Sequence, residues 1–386
     1  RRQPRLFPES IVSIKKNLVI LFLISFITPM GIHIIIPGLP MIAQGLDVSP
    51  KYINFVIAAF TLPGIFFSPF LGIFADRFGR KIILIPALIM YGFFGILCGV
   101  VQDFNSLLIF RFFQGIGASA LIMLNITIIG DFFSGRKLNE VLGYNASIIN
   151  LGGAIWPIVG GIAFTKWNYP FYFFSISIIM AFIVFIYLKN PEQKIEENIK
   201  KYFSGVKQSL KNSTILNIFL FIFLIYLIFY GTFLSHFPIY INHVQKASPL
   251  FIGLIMSGMR ITATIISSQM GRLNKIFSLK VLFKFIIIFY LSALVVIPLF
   301  SLGTSFYFLI PSMLLGCGHG IFIPFNHIML TKLSSKKYRG EIISISRFIS
   351  RIGQTIGPIL MGLIFTFFGI KSVFYFGAFL LIILFF

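Results

Sequence analysis

Long runs of apolar residues, separated by short polar segments, occupy most of this chain. A helix needs roughly 20 mostly apolar residues to cross the hydrocarbon core of a bilayer, and most of the runs reach that length. The runs do not alternate between apolar and polar positions, so they predict helices and not the strands of a β-barrel. We predict twelve spans, at residues 17–43, 52–74, 82–101, 106–130, 141–164, 170–188, 214–240, 250–270, 281–300, 305–330, 342–367 and 372–386.

A polar segment, residues 189–212, divides the runs into two sets of six. We interpret residues 1–188 as an N-terminal six-helix bundle, 189–212 as a cytoplasmic linker and 213–386 as a C-terminal six-helix bundle. An offset of 201 residues aligns glycines and prolines of the two sets, among them Gly115 with Gly316 and Pro157 with Pro358, and over part of the chain the offset is 199, as for Gly72 with Gly271. The predicted fold is therefore an all-α membrane protein of two pseudo-symmetric six-helix bundles. Internal repeats around a central binding site are typical of secondary transporters.

The basic residues lie mostly on one side of the predicted spans. With the N-terminus in the cytoplasm, 24 Lys and Arg residues fall in cytoplasmic segments or at the cytoplasmic ends of spans, 4 fall outside and 4 lie farther within spans. This bias predicts a cytoplasmic N-terminus by the positive-inside rule. It also accounts for the net charge of +22 without a nucleic-acid partner.

Other classes of protein find little support in the residues. Both cysteines, Cys98 and Cys317, lie in apolar runs, so neither a disulfide framework nor a metal site is expected. The phosphate loop Gly-x4-Gly-Lys-Ser/Thr is absent from the sequence, which argues against direct drive by ATP. No pair of nucleophile and base stands out, so a membrane enzyme or a scaffold is the weakest alternative. We expect no cofactor, and a monomer in the lipid bilayer.

Three local patterns sharpen the prediction. After the second span comes Gly72-Ile-Phe-Ala-Asp76-Arg77-Phe-Gly79-Arg80-Lys81, and the fourth span contains Arg111-Phe-Phe-Gln114-Gly115-Ile-Gly117-Ala118. The fifth span contains Gly143, then Gly152, then Trp156-Pro157-Ile-Val-Gly160-Gly161. Together these patterns closely resemble the signature motifs of the major facilitator superfamily. The third resembles the antiporter motif of its twelve-helix drug:proton antiporter branch, with Trp156 where that motif usually has Gly.

The resemblance implies a role for each motif. In the first, Gly72, Asp76, Arg77, Gly79, Arg80 and Lys81 would form a cytoplasmic gate that holds one conformation shut, although topology alone could explain the basic members. In the second, Arg111 and Gln114 would take part in proton coupling. In the third and its second-half copy, glycines would allow close helix packing and prolines would bend the helices; these residues are Gly152, Pro157, Gly160, Gly161, Gly357 and Pro358. The family also implies a bacterial-type plasma membrane location.

Charged residues inside the spans indicate where a solute could bind. None of the ten acidic residues lies deep in a span, whereas Arg260 lies near the middle of the eighth. An embedded charge is costly unless it faces a cavity or a partner, so Arg260 contacts the substrate, water or carbonyl groups. His33, in the first span, is either a proton carrier or a hydrogen-bonded core residue. Because spans 1, 4, 7 and 10 line the cavity in the family, we expect cavity positions for His33, Asn125, Tyr230, His319 and Asn326, in addition to Arg260, whose embedded charge indicates the same place.

The inventory of charges narrows the function. The chain is predicted to be a secondary active transporter, coupled to protons, that exports a small amphipathic neutral or anionic compound such as a drug or a siderophore-like metabolite. An uptake symporter of the same fold for an anionic nutrient is the alternative. The pattern in the fifth span favours export.

Overall fold

Helices account for almost all of the structure, a computed structural model that describes residues 11–188, 213–300, 305–333 and 339–385. Within these ranges there is no β-strand. Among the described residues, ten helices are long and apolar enough to cross a membrane, and two shorter apolar helices, Phe55–Phe67 and Ile370–Phe385, occupy the positions of the second and twelfth predicted spans. The predicted all-α membrane fold is confirmed. The predicted linker at 189–212 lies outside the described residues.

Six spans form the first half of the chain, and proline residues divide the first of them into short segments. Pro29, Pro37 and Pro40 lack the amide proton that a continuous helix needs at these positions, so span 1 breaks on both sides of His33. The spans are Ile11–Ile27 with Met30–His33, Ile36–Gly38 and Leu39–Gly45 (span 1), Phe55–Thr61 with Pro63–Phe78 (span 2), Arg80–Leu97 (span 3), Phe104–Phe132 (span 4), Gly135–Ala163 (span 5) and Tyr169–Phe174 with Ser175–Tyr187 (span 6).

Six more spans form the second half, and the first of these contains a π-helical segment. Such segments widen one turn of a helix and occur often at functional sites. The spans are Ser213–Ile228 with the π-helix Phe229–His236 and Phe237–Gln245 (span 7), Pro249–Ser268 followed by the short helix Met270–Ile276 (span 8), Leu279–Val296 with Ile297–Leu299 (span 9), Ser305–Phe308 with Leu309–Leu333 (span 10), Arg339–Phe368 (span 11) and Ile370–Phe385 (span 12).

Local sequence explains where several spans begin. Asp103 caps span 4 by accepting a hydrogen bond from the Ser106 amide at 2.9 Å, and Ser248 caps span 8 in the same way. Hydrogen bonds from the hydroxyl and the amide of Ser106 lower the pKa of the Asp103 carboxyl below its usual value. Gly79 joins spans 2 and 3 at a φ of 106°, a backbone conformation that residues with a Cβ rarely adopt.

Equivalent glycines pack in equivalent ways in the two halves. Gly115 of span 4 lies against the carbonyl of Phe60, and Gly316 of span 10 lies against that of Met259. The two carbonyl residues are themselves related by an offset of 199 residues. The internal repeat of the sequence therefore extends to the packing of the helices. Both contacts need glycine, because a side chain would keep the backbones apart.

The two halves meet along two seams, spans 5 with 8 and spans 2 with 11. Gly161 in the first seam would place a Cβ 2.6 Å from the Leu250 Cα atom, so the two backbones touch there. In the second seam the Asn54 amide donates a hydrogen bond to the Pro358 carbonyl. The charge bias of the sequence predicts that these ends of the spans lie on the outside. Gly143 and Gly271, near the opposite ends of spans 5 and 8, have open space where a Cβ would lie, so the close packing of the seam does not extend to these positions.

Candidate functional site

A polar contact between the two halves lies midway along the spans. The Arg260 side chain in the middle of span 8 approaches His33 of span 1, with 3.0 Å between the Arg260 Nη2 and His33 Nε2 atoms. A guanidinium only donates hydrogen bonds, so His33 accepts this one through an unprotonated Nε2 atom. The sequence predicts a cavity position for each of these residues separately. The structure brings them together.

Aromatic rings surround this contact. The Arg260 guanidinium carbon lies 5.6 Å from the centre of the Phe229 ring, within the range of a cation–π interaction. The other neighbours of Phe229 include His319, whose ring stacks on it at 4.4 Å between centres. The His319 Nδ1 atom in turn hydrogen-bonds the Tyr290 hydroxyl at 2.7 Å. We call this set the central cluster: His33, Phe229, Arg260, Tyr290 and His319.

The central cluster carries positive charge without a matching acid. No carboxylate among the described residues forms a salt bridge or a hydrogen bond with any of its members. The Arg260 Nε atom is buried and has no hydrogen-bond partner within the described residues. A Cβ added to Gly153 would lie 3.4 Å from this atom, so the glycine gives the guanidinium room against span 5. The arrangement can therefore accept a negatively charged or hydrogen-bond-accepting group.

Arg111 of span 4 has a different environment, fully buried inside the first half. Its guanidinium donates to the Gly31 carbonyl at 2.8 Å, the Val56 carbonyl at 3.3 Å and the Gln114 side-chain oxygen at 2.6 Å. The guanidinium carbon also lies 4.2 Å from the centre of the Phe60 ring. Arg111 thus connects spans 1, 2 and 4 through carbonyl groups. The contact with Gly31 lies two residues before His33.

The remaining predicted cavity residues have mixed surroundings. The Asn125 amide donates to the Leu21 carbonyl at 3.1 Å and also to the Ser25 hydroxyl, so it is used in packing span 4 against span 1. Tyr230 is partly exposed beside the Phe229 ring in the π-helical segment. Asn326 is buried in span 10, and its side-chain oxygen has no hydrogen-bond partner within the described residues.

The structure describes the surroundings of three residues of the first motif, for which a gate role is predicted. Arg80 and Asp131, at adjoining ends of spans 3 and 4, form a buried ion pair with 2.5 Å between Nε and Oδ2. The Lys81 ammonium donates to the Phe185 and Leu188 carbonyls at the end of span 6. Arg77 is exposed and lies over the Phe78 ring. Gly72 lies within the helix Pro63–Phe78 of span 2, and the side chain of Asp76 lies outside what the structure describes.

The predicted helix-packing residues make close backbone contacts. Gly152 and Gly160 of span 5 lie against the Phe26 and Ile34 carbonyls of span 1, and Gly357 lies against the Leu227 carbonyl of span 7. Pro157 and Pro358 sit inside unbroken helices, and each presents its carbonyl to the opposite half. Trp156, which replaces the usual glycine of the motif, donates from Nε1 to the Phe26 carbonyl at 2.7 Å.

Two residues of the central cluster were missed by sequence analysis. Phe229 is one of 50 phenylalanines, and no local signal separates it from those that face lipid. Tyr290 could have been found, because the offset of 199 residues places it opposite Tyr91. Those two tyrosines have equivalent positions, packed against Gly318 and Gly117 respectively.

A family model and several known proteins match the sequence of this chain. The family model of the Major Facilitator Superfamily matches residues 21–248 and 237–386. Multidrug resistance protein 1 of Bacillus subtilis (strain 168) is 27% identical over 359 residues, which cover 91% of this chain and 90% of that protein. The quinolone resistance protein NorA of Staphylococcus aureus (strain Mu50 / ATCC 700699) is 31% identical over 181 residues, 46% of each chain.

Solved structures share the fold at low sequence identity. An inward-facing, unoccupied bacterial homologue of the human lysosomal transporter Spinster has a TM-score of 0.79 at 16% identity and covers 97% of this chain and 95% of that one. The nucleoside transporter NupG has a TM-score of 0.79 at 13% identity and covers 95% of this chain and 97% of that one. At these identities the likeness shows the fold alone.

Proposed function

Because this chain belongs to the major facilitator superfamily, we propose that it exports a small amphipathic organic compound, neutral or anionic, in exchange for protons. It is a multi-pass membrane transporter and not an enzyme. The names of two relatives, one for multidrug resistance and one for quinolone resistance, support export of a drug-like compound, and a siderophore-like metabolite fits the same class. The bacterial relatives also support a plasma-membrane location. In our proposal the carrier works as a monomer with its N-terminus in the cytoplasm.

The contact between His33 and Arg260 is the observation that carries the proposal. It joins span 1 of the first half to span 8 of the second, at 3.0 Å. A carrier that works by alternating access must loosen such contacts when the halves rock against each other. A ligand that competes for either side chain therefore loosens the contact and lets the halves move more easily.

Proton coupling follows from the chemistry of this contact. Protonated imidazole cannot accept a hydrogen bond, and it would place a second positive charge beside Arg260. A proton on His33 thus breaks the contact, and a substrate that accepts from Arg260 breaks it from the other side. His319, behind the Phe229 ring, is the second imidazole of the central cluster and adds to the repulsion when charged. Either ligand alone therefore breaks the contact that restrains the empty carrier. A carrier that moves only with one of the two ligands bound exchanges substrate for protons.

Arg111 and Gln114 take part indirectly in this proposal. Arg111 holds the Gly31 carbonyl, and Gln114 holds the guanidinium of Arg111. This network fixes the broken segment of span 1 that carries His33. At the predicted cytoplasmic ends, the ion pair between Arg80 and Asp131 holds the start of span 3 beside the end of span 4. A gate at this side would need these ends to be fixed.

Inverted membrane vesicles that contain the protein provide the test. A pH-sensitive dye reports the proton gradient while a neutral, an anionic or a cationic amphipathic compound is added. We expect neutral or anionic compounds to collapse the gradient, and Arg260→Ala to abolish the effect at an unchanged amount of inserted protein. Collapse by cations alone would contradict the charge argument. Accumulation of the compound in right-side-out vesicles, driven by protons, would favour the uptake symporter.

A further inference from the structure

We infer that Arg260 binds a carboxylate of the substrate, so that the transported compound is an aromatic or amphipathic organic acid. This inference rests on the proposed function, whose substrate it narrows from a neutral or anionic compound to an acid. It concerns the same site and names the group that binds the Nε edge of the Arg260 guanidinium.

The hydrogen bonds of Arg260 leave one edge of its guanidinium available. The Nη2 atom contacts His33, whereas the buried Nε atom has no partner within the described residues. A buried donor of a charged group is costly to leave unpaired. Nε and the adjacent terminal nitrogen form the planar fork that binds a carboxylate through two parallel hydrogen bonds. A carboxylate in that position satisfies Nε and competes with His33 for Arg260.

Neighbouring charges favour an anion. Tyr226 and Tyr230 of span 7 lie near both Arg260 and Arg351 of span 11. Arg351 donates to the Gln354 side chain and not to an acid, and Arg347 lies one helical turn away from it, exposed. No described carboxylate forms an ion pair with any of the three arginines. A route lined by one sign of charge concentrates ligands of the opposite sign.

Aromatic rings provide a surface for the apolar part of the acid. Phe229 lies beneath the guanidinium, and Tyr230 adjoins Phe229 at 5.8 Å between ring centres. Tyr226, one turn earlier, lies 6.3 Å from Tyr230. A flat apolar group can stack on such rings while its carboxylate reaches Arg260. An anion without a ring system gains nothing from these rings.

Binding of matched probes to the purified full-length chain in lipid nanodiscs tests the inference. The probes are 2-naphthoate, its neutral amide 2-naphthamide and the cation 2-naphthylmethylammonium. We expect 2-naphthoate to bind at least about tenfold more tightly than the other two, the effect of a charge-assisted pair of hydrogen bonds. Arg260→Gln should remove that preference, and Arg260→Lys, which keeps the charge without the fork, should restore only part of it.

Two further variants make the result specific. Arg272→Gln removes the same charge from an exposed position on the short helix after span 8 and should leave the preference unchanged. His33→Ala removes the competitor for Nη2, so 2-naphthoate should bind as tightly as in the unmodified chain or more tightly. Loss of binding in His33→Ala as large as in Arg260→Gln would overturn the competition that we describe.

The outcomes separate this inference from the proposed function. Equal binding of acid and amide, or an equal loss of both in Arg260→Gln, would overturn the carboxylate site even if the vesicles exchange substrate for protons. Acid-selective binding that depends on Arg260, together with vesicles that show no proton exchange, would overturn the proposed function and leave the carboxylate site standing. Thermal unfolding of each variant, followed by size-exclusion chromatography, identifies variants that fail to fold.

Discussion

At the scale of the residue, Arg111 of the first half and Arg260 of the second half have opposite surroundings. Arg111 donates to two carbonyls and one amide oxygen, all within its own half. Arg260 has one imidazole partner, from the other half, and an unpaired Nε atom. We therefore attribute a structural role to the first and a ligand-binding role to the second.

Arg111→Lys should destabilise the protein rather than change its selectivity. An ammonium on a flexible stem cannot reach three acceptors that point at a planar guanidinium. Each buried acceptor left unpaired costs about 1–3 kcal/mol, so the variant should lose roughly 2 kcal/mol or more. The midpoint of thermal unfolding in detergent should fall clearly, and that of Arg272→Lys should not. An unchanged midpoint for Arg111→Lys would show that water or lipid replaces the missing hydrogen bonds.

The sequence identified the embedded residues but not their partners. Arg260 and His33 stand out because polar residues are rare in apolar spans. Their contact depends on the point along the helices at which spans 1 and 8 cross. The helix breaks at Pro29 and Pro37 change the path of span 1, so this point is known only from the three-dimensional structure. Asn125 illustrates the reverse case, because an amide in a span can line a cavity or hydrogen-bond a neighbouring helix, and its surroundings decide.

At the scale of the element, the outer seam between spans 5 and 8 depends on glycine. Gly253 and Gly161 bring the two backbones into contact beside Pro157. The related seam between spans 2 and 11 uses a side chain instead, since Asn54 stands at the position equivalent to Gly253 and donates to Pro358. The two seams therefore close by different means, although the halves are repeats.

Gly253→Val should open the outer seam. A Cβ at this position would overlap the Pro157 carbonyl, so spans 5 and 8 must separate. Spin labels at positions 51 and 366, where the Lys51 ammonium and the Thr366 carbonyl lie 3.5 Å apart, can report the distance across the closed outside. In a background without Cys98 and Cys317, we expect this distance to lengthen in Gly253→Val.

Gly143→Val provides the matched control on span 5. Nothing lies within 4 Å of a Cβ built at Gly143, so the same substitution should fit without moving the helix. A lengthened distance in this control, or an unchanged distance in Gly253→Val, would show that glycine packing does not set the closure of the seam.

The element scale is also where sequence analysis succeeded best. All twelve predicted spans coincide with helices, because a stretch of apolar residues has few alternatives to a helix in lipid. The division of span 1 and the π-helical segment at Phe229–His236 were not predicted. The former follows from prolines that periodicity alone does not resolve, and the latter shifts the helix register by a single residue.

At the scale of the whole molecule, the orientation in the membrane follows from charge. Because 24 basic residues are predicted on the cytoplasmic side and 4 on the outside, we expect the N-terminus to lie in the cytoplasm. A single cysteine at Lys246, between spans 7 and 8, should react with an impermeant thiol reagent added to intact cells. A cysteine at Arg272, after span 8, should react only after the cells are opened. The reverse pattern would invert the proposed direction of transport.

Tight coupling of the cycle requires that the empty carrier stays in one conformation. In this structure the unprotonated His33 accepts from Arg260 and ties span 1 to span 8, while the outer seams are closed and glycines at the inner ends of spans 5 and 8 face open space. If this contact restrains the empty carrier, His33→Ala should let the two halves exchange without a ligand. Net efflux down a substrate gradient, which needs return of the empty carrier, should then speed up several-fold in the absence of a proton gradient. Exchange of labelled for unlabelled substrate, which does not need that return, should change little, so the ratio of the two rates isolates the effect from any loss of folded protein. A ratio equal to that of the unmodified chain would mean that the restraint lies elsewhere, with the glycine seams as the next candidates to test.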